Sequence, residues 1–392
     1  MNFSPADRIA SFQSYYFGRL GETIQSLRKQ GRDIIRLDIG SPDLPPTSEI
    51  IETLYNSAKL PTTHGYTMHN GTQKFRNTVA VYLLNRFEIS LDPESEILAL
   101  IGSKEGLFNL SQAFLNPGDI VLVPDPGYPV YSAAAKIAGA TVVTMPLLKE
   151  NNYLPDLQAI PQEIALKAKM LWLNYPNNPT GAIATPDFYR EAIDFARQNH
   201  ILLASDAPYT DVCFDGYTAD SILQIPGAKE VTVEFNSLSK TYNMAGWRVG
   251  FAAGNAQVLG YLKTYKSQQD SANFLPTLEA GAYALTSDQS WLDERNEVYR
   301  KRRDIILAGL NAIGLYPKRP KAALYVWSPI PEGFTDSSDF CGQCLQEIGV
   351  SFAPGILYGN HGEGNFRISF GCETQKIEEA MHRLRTWLLS QV

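Results

Sequence analysis

Between residues 97 and 253 the chain repeats one pattern, a short apolar run followed by a stretch of mixed polarity. The apolar runs stand at 97–101, 119–123, 141–145, 169–173, 201–205, 230–235 and 249–253, and amphipathic stretches fall between several of them, near 104–115, 130–138 and 184–199. Short apolar strands alternating with helices specify an α/β domain on a largely parallel sheet. A further helical pattern at 72–88 follows the Gly65-Tyr66…Gly71 turn, while residues 1–45 read as irregular, with several prolines after Gly40. A long polar helix at 288–313 links the sheet to a smaller α+β unit: strand 323–328, helix 337–348, strands 350–353 and 365–370, and a final helix at 374–390. The expected organisation is an N-terminal segment, 1–45, packing with the small domain, then a large domain, 46–287, with seven mostly parallel strands between helices, and a small C-terminal domain, 288–392.

Composition narrows the function classes. The chain has 392 residues, 44% of them hydrophobic and 19% charged, as in an ordinary globular protein with a sizeable core. A net charge of -7 without a dense basic run argues against a nucleic-acid partner. No window approaches the roughly 18 apolar residues of a membrane span, and the first thirty residues lack the apolar segment of a secretory signal. The expectation is a cytoplasmic protein. Four cysteines are too sparse for a disulfide framework. Cys341 and Cys344 have the spacing of a redox pair, but they lie in the i, i+4 apolar pattern of Phe340, Cys344 and Ile348 and read as small buried hydrophobes. No cluster of side chains offers a metal site.

Ligands of open α/β sheets sit beyond the carboxyl ends of the strands, so the residues at those ends carry the argument. The first run opens into Gly102-Ser103-Lys104, and the second into Pro126-Gly127-Tyr128. Asn174-Tyr175-Pro176-Asn177-Asn178-Pro179-Thr180-Gly181 follows 169–173, Asp206-Ala207-Pro208-Tyr209 follows 201–205, and Ser237-Leu238-Ser239-Lys240 follows 230–235, with Arg248 eight residues on. Five strands thus deliver polar or aromatic groups to one edge. Hydroxyls and an arginine can hold a phosphate through charge-assisted bonds. A lysine amine kept partly neutral can condense with a carbonyl. Backbone N–H groups at Gly102–Lys104 suit a phosphate, although Ser103 as a plain helix cap is equally compatible. Tyr128 could stack on a flat heterocycle or fill a core. Asp206 closes an apolar strand and needs a partner, which a cationic ring nitrogen, a helix cap or an internal ion pair could each supply. Tyr209 and Asn178 could reach a phenolic oxygen, although Asn-Pro favours a turn in its own right.

Taken in order and spacing, Asn178–Gly181 (Asn-Pro-Thr-Gly), Asp206 with Tyr209, and Ser237, Ser239, Lys240, Arg248 and Gly250 resemble the class I/II aminotransferases that use pyridoxal 5'-phosphate, of fold type I. The matching segments run from Gly40 to Arg367. The resemblance implies that Lys240 holds the cofactor as a Schiff base and shuttles the proton, Asp206 pairs with the ring nitrogen, and Tyr209 and Asn178 bind the phenolic oxygen. Tyr128 would stack on the ring, while Ser103, Lys104, Ser237, Ser239 and Arg248 would form the phosphate cup. Tyr66 resembles a tyrosine that reaches a partner subunit's phosphate, which implies a homodimer with shared sites. Arg367 resembles the clamp for the substrate α-carboxylate, and Gly40 the glycine that lets the substrate backbone pass.

The implied reaction is ping-pong transfer of an amino group between an L-amino acid and a 2-oxo acid. The Ser237–Trp247 segment looks most like the LL-diaminopimelate and alanine branch, with 2-oxoglutarate a fitting acceptor. No second arginine for a distal carboxylate stands out; Arg19, Tyr15, Tyr16 and Tyr325 are the candidates for lining the substrate pocket. β-Elimination on sulfur-bearing substrates and cyclopropane-carboxylate formation use the same cofactor residues and stay open at this point. A regulatory module of this fold would carry a basic DNA-binding segment, for which the chain shows no room.

Overall fold

The computed structural model describes residues 3–10, 12 and 16–391, so Tyr15 lies outside the described residues. In chain order its strands are β1 (Ile35–Arg36), β2 (Ile97–Leu100), β3 (Ile120–Asp125), β4 (Thr141–Pro146), β5 (Ala168–Asn174), β6 (Leu202–Asp206), β7 (Thr232–Ser237), β8 (Gly250–Gly254), β9 (Tyr325–Pro329), β10 (Val350–Ser351), β11 (Ala353–Pro354) and β12 (Asn365–Ser369). All seven apolar runs form one sheet, ordered β2-β8-β7-β6-β5-β3-β4. Strand β8 runs antiparallel to β2 and β7, and the remaining pairs are parallel.

The central runs are mostly apolar because helices cover both faces of the sheet, and successive side chains point to opposite faces. Leu98, Val121, Val123, Met170 and Trp172 enter one buried cluster, and Ile97, Ala99, Leu122, Leu171 and Leu173 enter another. Each fully buried aliphatic side chain of this kind contributes about 1.5–3 kcal/mol. With the faces occupied, the carboxyl ends of the strands are left to bind a ligand.

In the C-terminal part, β9, β11 and β12 form an antiparallel sheet ordered β11-β12-β9, and β1 pairs in parallel with β10. Val326, Phe340, Phe352, Phe366, Ile368 and Leu384 fill a separate core there. Cys341 and Cys344 are free and buried among these side chains, and burial raises both thiols well above their usual range.

Several expectations need correction. Residues 1–45 are not irregular: Tyr16–Lys29 is a helix whose Ile24 and Leu27 pack with Ile34 and Leu345. The Leu20, Ile24, Leu27 stripe was there to be read, but Gly18 and Gly21 dilute it. Helices Ser48–Ala58, Ala256–Gln269 and Leu275–Thr286 also went unanticipated. The 230–235 run divides, because Ala228–Val231 is a short helix and β7 starts at Thr232. That shift carries Ser237 onto the last position of the strand.

Candidate active site

The groups collected at the sheet edge face one cavity of about 500 Å³. Strand β2 passes into the helix Ser103–Phe114, which starts with Ser103 and Lys104, and β3 leads to Tyr128. Strand β5 supplies Asn174 and, beyond it, Asn178; β6 supplies Asp206 and then Tyr209. Strand β7 ends at Ser237, with Ser239 and Lys240 in the next turn, and Arg248 precedes β8. Gly40 and Arg367 close the cavity from the other side.

At its centre stand Asp206 and Lys240. Asp206 is 4% exposed; Oδ2 accepts a hydrogen bond from the Tyr131 hydroxyl at 2.6 Å, and Oδ1 has no partner. Asn174, its in-register neighbour, donates to the Asp206 backbone carbonyl at 2.7 Å and fixes the main chain there. Burial pushes the Asp206 carboxyl up to about 7, although the Tyr131 hydrogen bond and the Lys240 charge pull it down. The Lys240 amine donates to the Gly40 carbonyl. Desolvation, helped by the Arg367 and Arg248 charges, lowers that amine to about 8. A buried carboxylate oxygen without a partner is costly, and it marks the place where a cationic ligand group belongs.

The anion end is built from backbone and side chains together. The cap of the Ser103–Phe114 helix is Gly102, not Ser103, and no side chain caps it, so the first N–H groups are left for a ligand. A Cβ at residue 102 would fall on the Arg248 guanidinium, and Gly102 has φ +75, which favours glycine. Arg248 itself adopts φ +58 and donates to Ser239 Oγ at 3.3 Å and to the Ala245 carbonyl at 2.8 Å. A non-glycine residue in this region is strained, a condition that clusters at ligand sites. Desolvation, then the Arg248 charge, lowers the Lys104 amine.

Arg367 is buried, with its guanidinium carbon 4.2 Å from the Tyr325 ring centroid and 5.1 Å from that of Tyr358. It donates to Asn178 Oδ1 at 2.8 Å and to the Asp38 carbonyl at 2.5 Å, and Nε has no partner. The Tyr209 and Tyr325 hydroxyls share a hydrogen bond of 2.6 Å, and a Cβ at Gly40 would strike Tyr325. Lys104, Lys240, Arg248 and Arg367 thus line the cavity with Asp206 as its one carboxylate among the described residues, so it suits a ligand with anionic ends.

Of the residues given a cofactor or substrate role, Tyr66 alone lies outside this lining; it is 94% exposed. Among the substrate-pocket candidates, Tyr325 lines the cavity, whereas Arg19 is exposed and Tyr16 half-buried, and neither lines it; Phe17 of the same helix does. Sequence reading missed Tyr131, Asn174 and Arg36. Asn174 had the same signal as Asp206, a polar residue closing an apolar run, and Tyr131 stands one helical turn after Tyr128. Arg36 lines the cavity with its charge held by Asp38 at 2.6 Å. A larger groove of about 950 Å³, bordered by Arg86, Asp211 and Glu297, contains none of the expected residues.

Comparison with known proteins agrees with this geometry. The profile of the family described as aminotransferase class I and II matches residues 32–384. The chain is 46% identical over 380 residues to the LL-diaminopimelate aminotransferase of Moorella thermoacetica, covering 97% of each. It is similar to substrate-bound BacF from Bacillus subtilis, with TM-score 0.96, 33% identity and coverage of 99% of this chain and 98% of that one. A probable N-succinyldiaminopimelate aminotransferase from Thermus thermophilus superposes with TM-score 0.88 at 37% identity, covering 94% of this chain and 99% of that one. Elimination and ring closure are not favoured by these relatives. With a lysine, a carboxylate that keeps one oxygen unpartnered and several cationic side chains in one cavity, the chain belongs to the class I and II aminotransferases and is a pyridoxal-phosphate-dependent enzyme that transfers amino groups between amino acids and 2-oxo acids.

Proposed function

We propose that the amino donor is LL-diaminopimelate or a close analogue, the acceptor is a 2-oxo acid such as 2-oxoglutarate, and Lys240 carries the cofactor and moves the proton. The donor assignment rests on near full-length similarity to several LL-diaminopimelate aminotransferases, at 42–46% identity. The residue roles rest on one observation above all: Lys240 and Asp206, whose Oδ1 has no hydrogen-bond partner, line the same cavity.

Bound pyridoxal phosphate supplies an electron-accepting ring for the charge left when a substrate loses its α-proton. Asp206 holds the ring nitrogen by charge, Tyr128 covers a ring face, and Tyr209 and Asn178 bind the phenolic oxygen. Ser103, Lys104, Ser237, Ser239 and Arg248 take the phosphate. Arg367 grips the substrate α-carboxylate through its planar donors, and Gly40 leaves room for the substrate backbone. The Lys240 amine, lowered to about 8, has a neutral fraction near neutral pH and can accept the α-proton.

The working unit in this reading is a cytoplasmic homodimer. Tyr55, Leu60, Tyr66, Met68 and Phe274 are exposed. Thr67 donates to the Asn273 carbonyl at 2.9 Å, which ties the Tyr66 segment to the Phe274 segment. An apolar area of this kind suits a second copy. Among the described residues no helix is long and apolar enough to cross a membrane.

The test is to incubate the yellow protein with single amino acids and follow the visible absorbance together with 2-oxo acid release. LL-diaminopimelate should give the highest kcat/KM, and a 2-oxo acid should restore the starting spectrum. A clear preference for alanine or aspartate would remove the donor assignment. Ammonia release without amino transfer would remove the reaction.

A further inference from the structure

Tyr131 has no role in that scheme, yet among the described residues it makes the only hydrogen bond to the Asp206 carboxylate. It stands in the first turn of the helix Val130–Ile137, fully buried. Its ring stacks on Trp172 with centroids 5.0 Å apart and planes at 16°, and it meets Tyr128 edge to face at 5.8 Å and 83°. Trp172 lies in β5 and Tyr128 lines the cavity, so the Tyr131 ring is wedged between the sheet and the cavity wall. A phenol held this firmly has one place to send its proton, and that place is Oδ2.

Two oxygens of one carboxylate therefore have different fates. Oδ2 is taken, Oδ1 is buried and unpaired, and the Asn174 bond fixes the backbone from which both hang. We propose that Tyr131 is a positioning residue for the cofactor: by pinning Oδ2 it sets the Asp206 rotamer, so that Oδ1 is the oxygen presented to the protonated ring nitrogen. Without the hydroxyl the carboxylate could turn about its terminal torsion, which is broad for aspartate, and the charge on it would lose its donor. The inference rests on the reading that Asp206 faces the ring nitrogen.

Tyr131→Phe keeps the ring against Trp172 and deletes only the hydroxyl. The full-length chain, stripped of cofactor and refilled, is titrated with pyridoxal phosphate and with its 1-deaza analogue, which has a ring CH in place of the nitrogen; binding is read from tryptophan fluorescence. Losing a hydrogen bond to a charged group predicts a Kd for pyridoxal phosphate about tenfold higher in Tyr131→Phe. The deaza analogue should lose less than about twofold, and Tyr131→Phe added to Asp206→Asn should likewise change Kd less than about twofold, since the two sites act as one unit. Equal losses on both ligands, no loss on either, or an undiminished loss in the Asp206→Asn background would overturn the proposal. If the unmodified chain binds both ligands alike, the ring-nitrogen reading fails and takes the proposal with it. A preference for pyridoxal phosphate that Tyr131→Phe leaves intact defeats the proposal alone.

Discussion

Replacing Asp206 with asparagine should stabilise the cofactor-free chain above neutral pH while weakening its hold on the cofactor. The folded carboxyl titrates at about 7 against an ordinary 3.8, so the fold disfavours its charged form. At about 1.36 kcal/mol per pH unit, this shift amounts to roughly 4 kcal/mol once the group is ionised in both states. The sign follows from proton uptake. Between pH 4 and 7 the folded chain keeps a proton that the unfolded chain has released, so stability falls as pH rises through that window, and the penalty is complete above pH 7. Asparagine carries no charge and escapes the penalty. Its oxygen can still accept from Tyr131, but its amide N–H groups inherit the empty place of Oδ1, a loss of about 1–3 kcal/mol. The balance at pH 8 is a gain of about 1–3 kcal/mol. Between pH 7 and pH 5 the advantage should shrink by about 2–3 kcal/mol and can change sign. The Asp206 charge also holds the Lys240 amine up, so asparagine leaves that amine more depressed and takes back part of the gain near pH 8. Calorimetry of cofactor-free wild type and Asp206→Asn at pH 5 and pH 8 measures this directly. Equal destabilisation at both pH values would refute the electrostatic argument and make Asp206 an ordinary structural residue.

Three further substitutions probe the rest of the cavity. Lys240→Ala should lower turnover by at least about 10²-fold, as expected for losing a positioned acid–base group, with an unchanged far-UV circular dichroism spectrum; steady-state rates in a folded variant decide it. Gly102→Ala puts a methyl group on the Arg248 guanidinium at φ +75, so equilibrium dialysis should find the cofactor Kd raised about tenfold or more. Arg367→Lys exchanges a planar fork for a point charge and should reduce kcat/KM for amino donors by about 10²-fold while leaving cofactor affinity within about twofold; a matching loss of cofactor affinity would place Arg367 elsewhere in the mechanism.

What the sequence disclosed follows from the range of the interactions involved. The central strands were legible because both of their faces are buried, so a local run of Leu, Val and Ile carries the whole signal. Asp206, Lys240 and Arg248 were legible because each ends, follows or precedes a buried strand that constrains its place. Tyr131 was not, because what matters is an oxygen 75 residues away in sequence. The helix Leu275–Thr286 was missed for a different reason: Leu278, Ala280, Ala282 and Ala284 are buried on several sides of it, so no single stripe advertises it. The cap at Gly102 in place of Ser103 shows the limit of composition rules, since the backbone turn that Arg248 requires overrides the usual preference for a serine cap.

The helix Trp291–Asn311 adds most to the sequence reading, which saw only a long polar link to the small unit, since the structure buries three of its arginines. Arg302 grips Asp43 with two bonds of 2.7 and 3.0 Å, three residues beyond Gly40. Arg303 grips Asp215 with bonds of 2.7 and 3.1 Å, in the segment that follows Tyr209. Arg295 has no carboxylate in these bonds; it donates to the backbone carbonyls of Lys240, Thr241 and Asp211. One helix thereby ties down the chain next to Gly40, next to Tyr209 and at Lys240 itself. Bonding the lysine through its carbonyl leaves its amine outside the brace, and using an arginine adds a positive charge without a carboxylate that could compete for that amine. Burying charged groups is costly unless every donor is met, and a guanidinium with five donors is the side chain best able to meet carbonyls and carboxylates from several segments at once. A row of arginines in a polar helix can therefore be an inward-facing brace, and the carbonyls it holds are invisible to any reading of side chains alone.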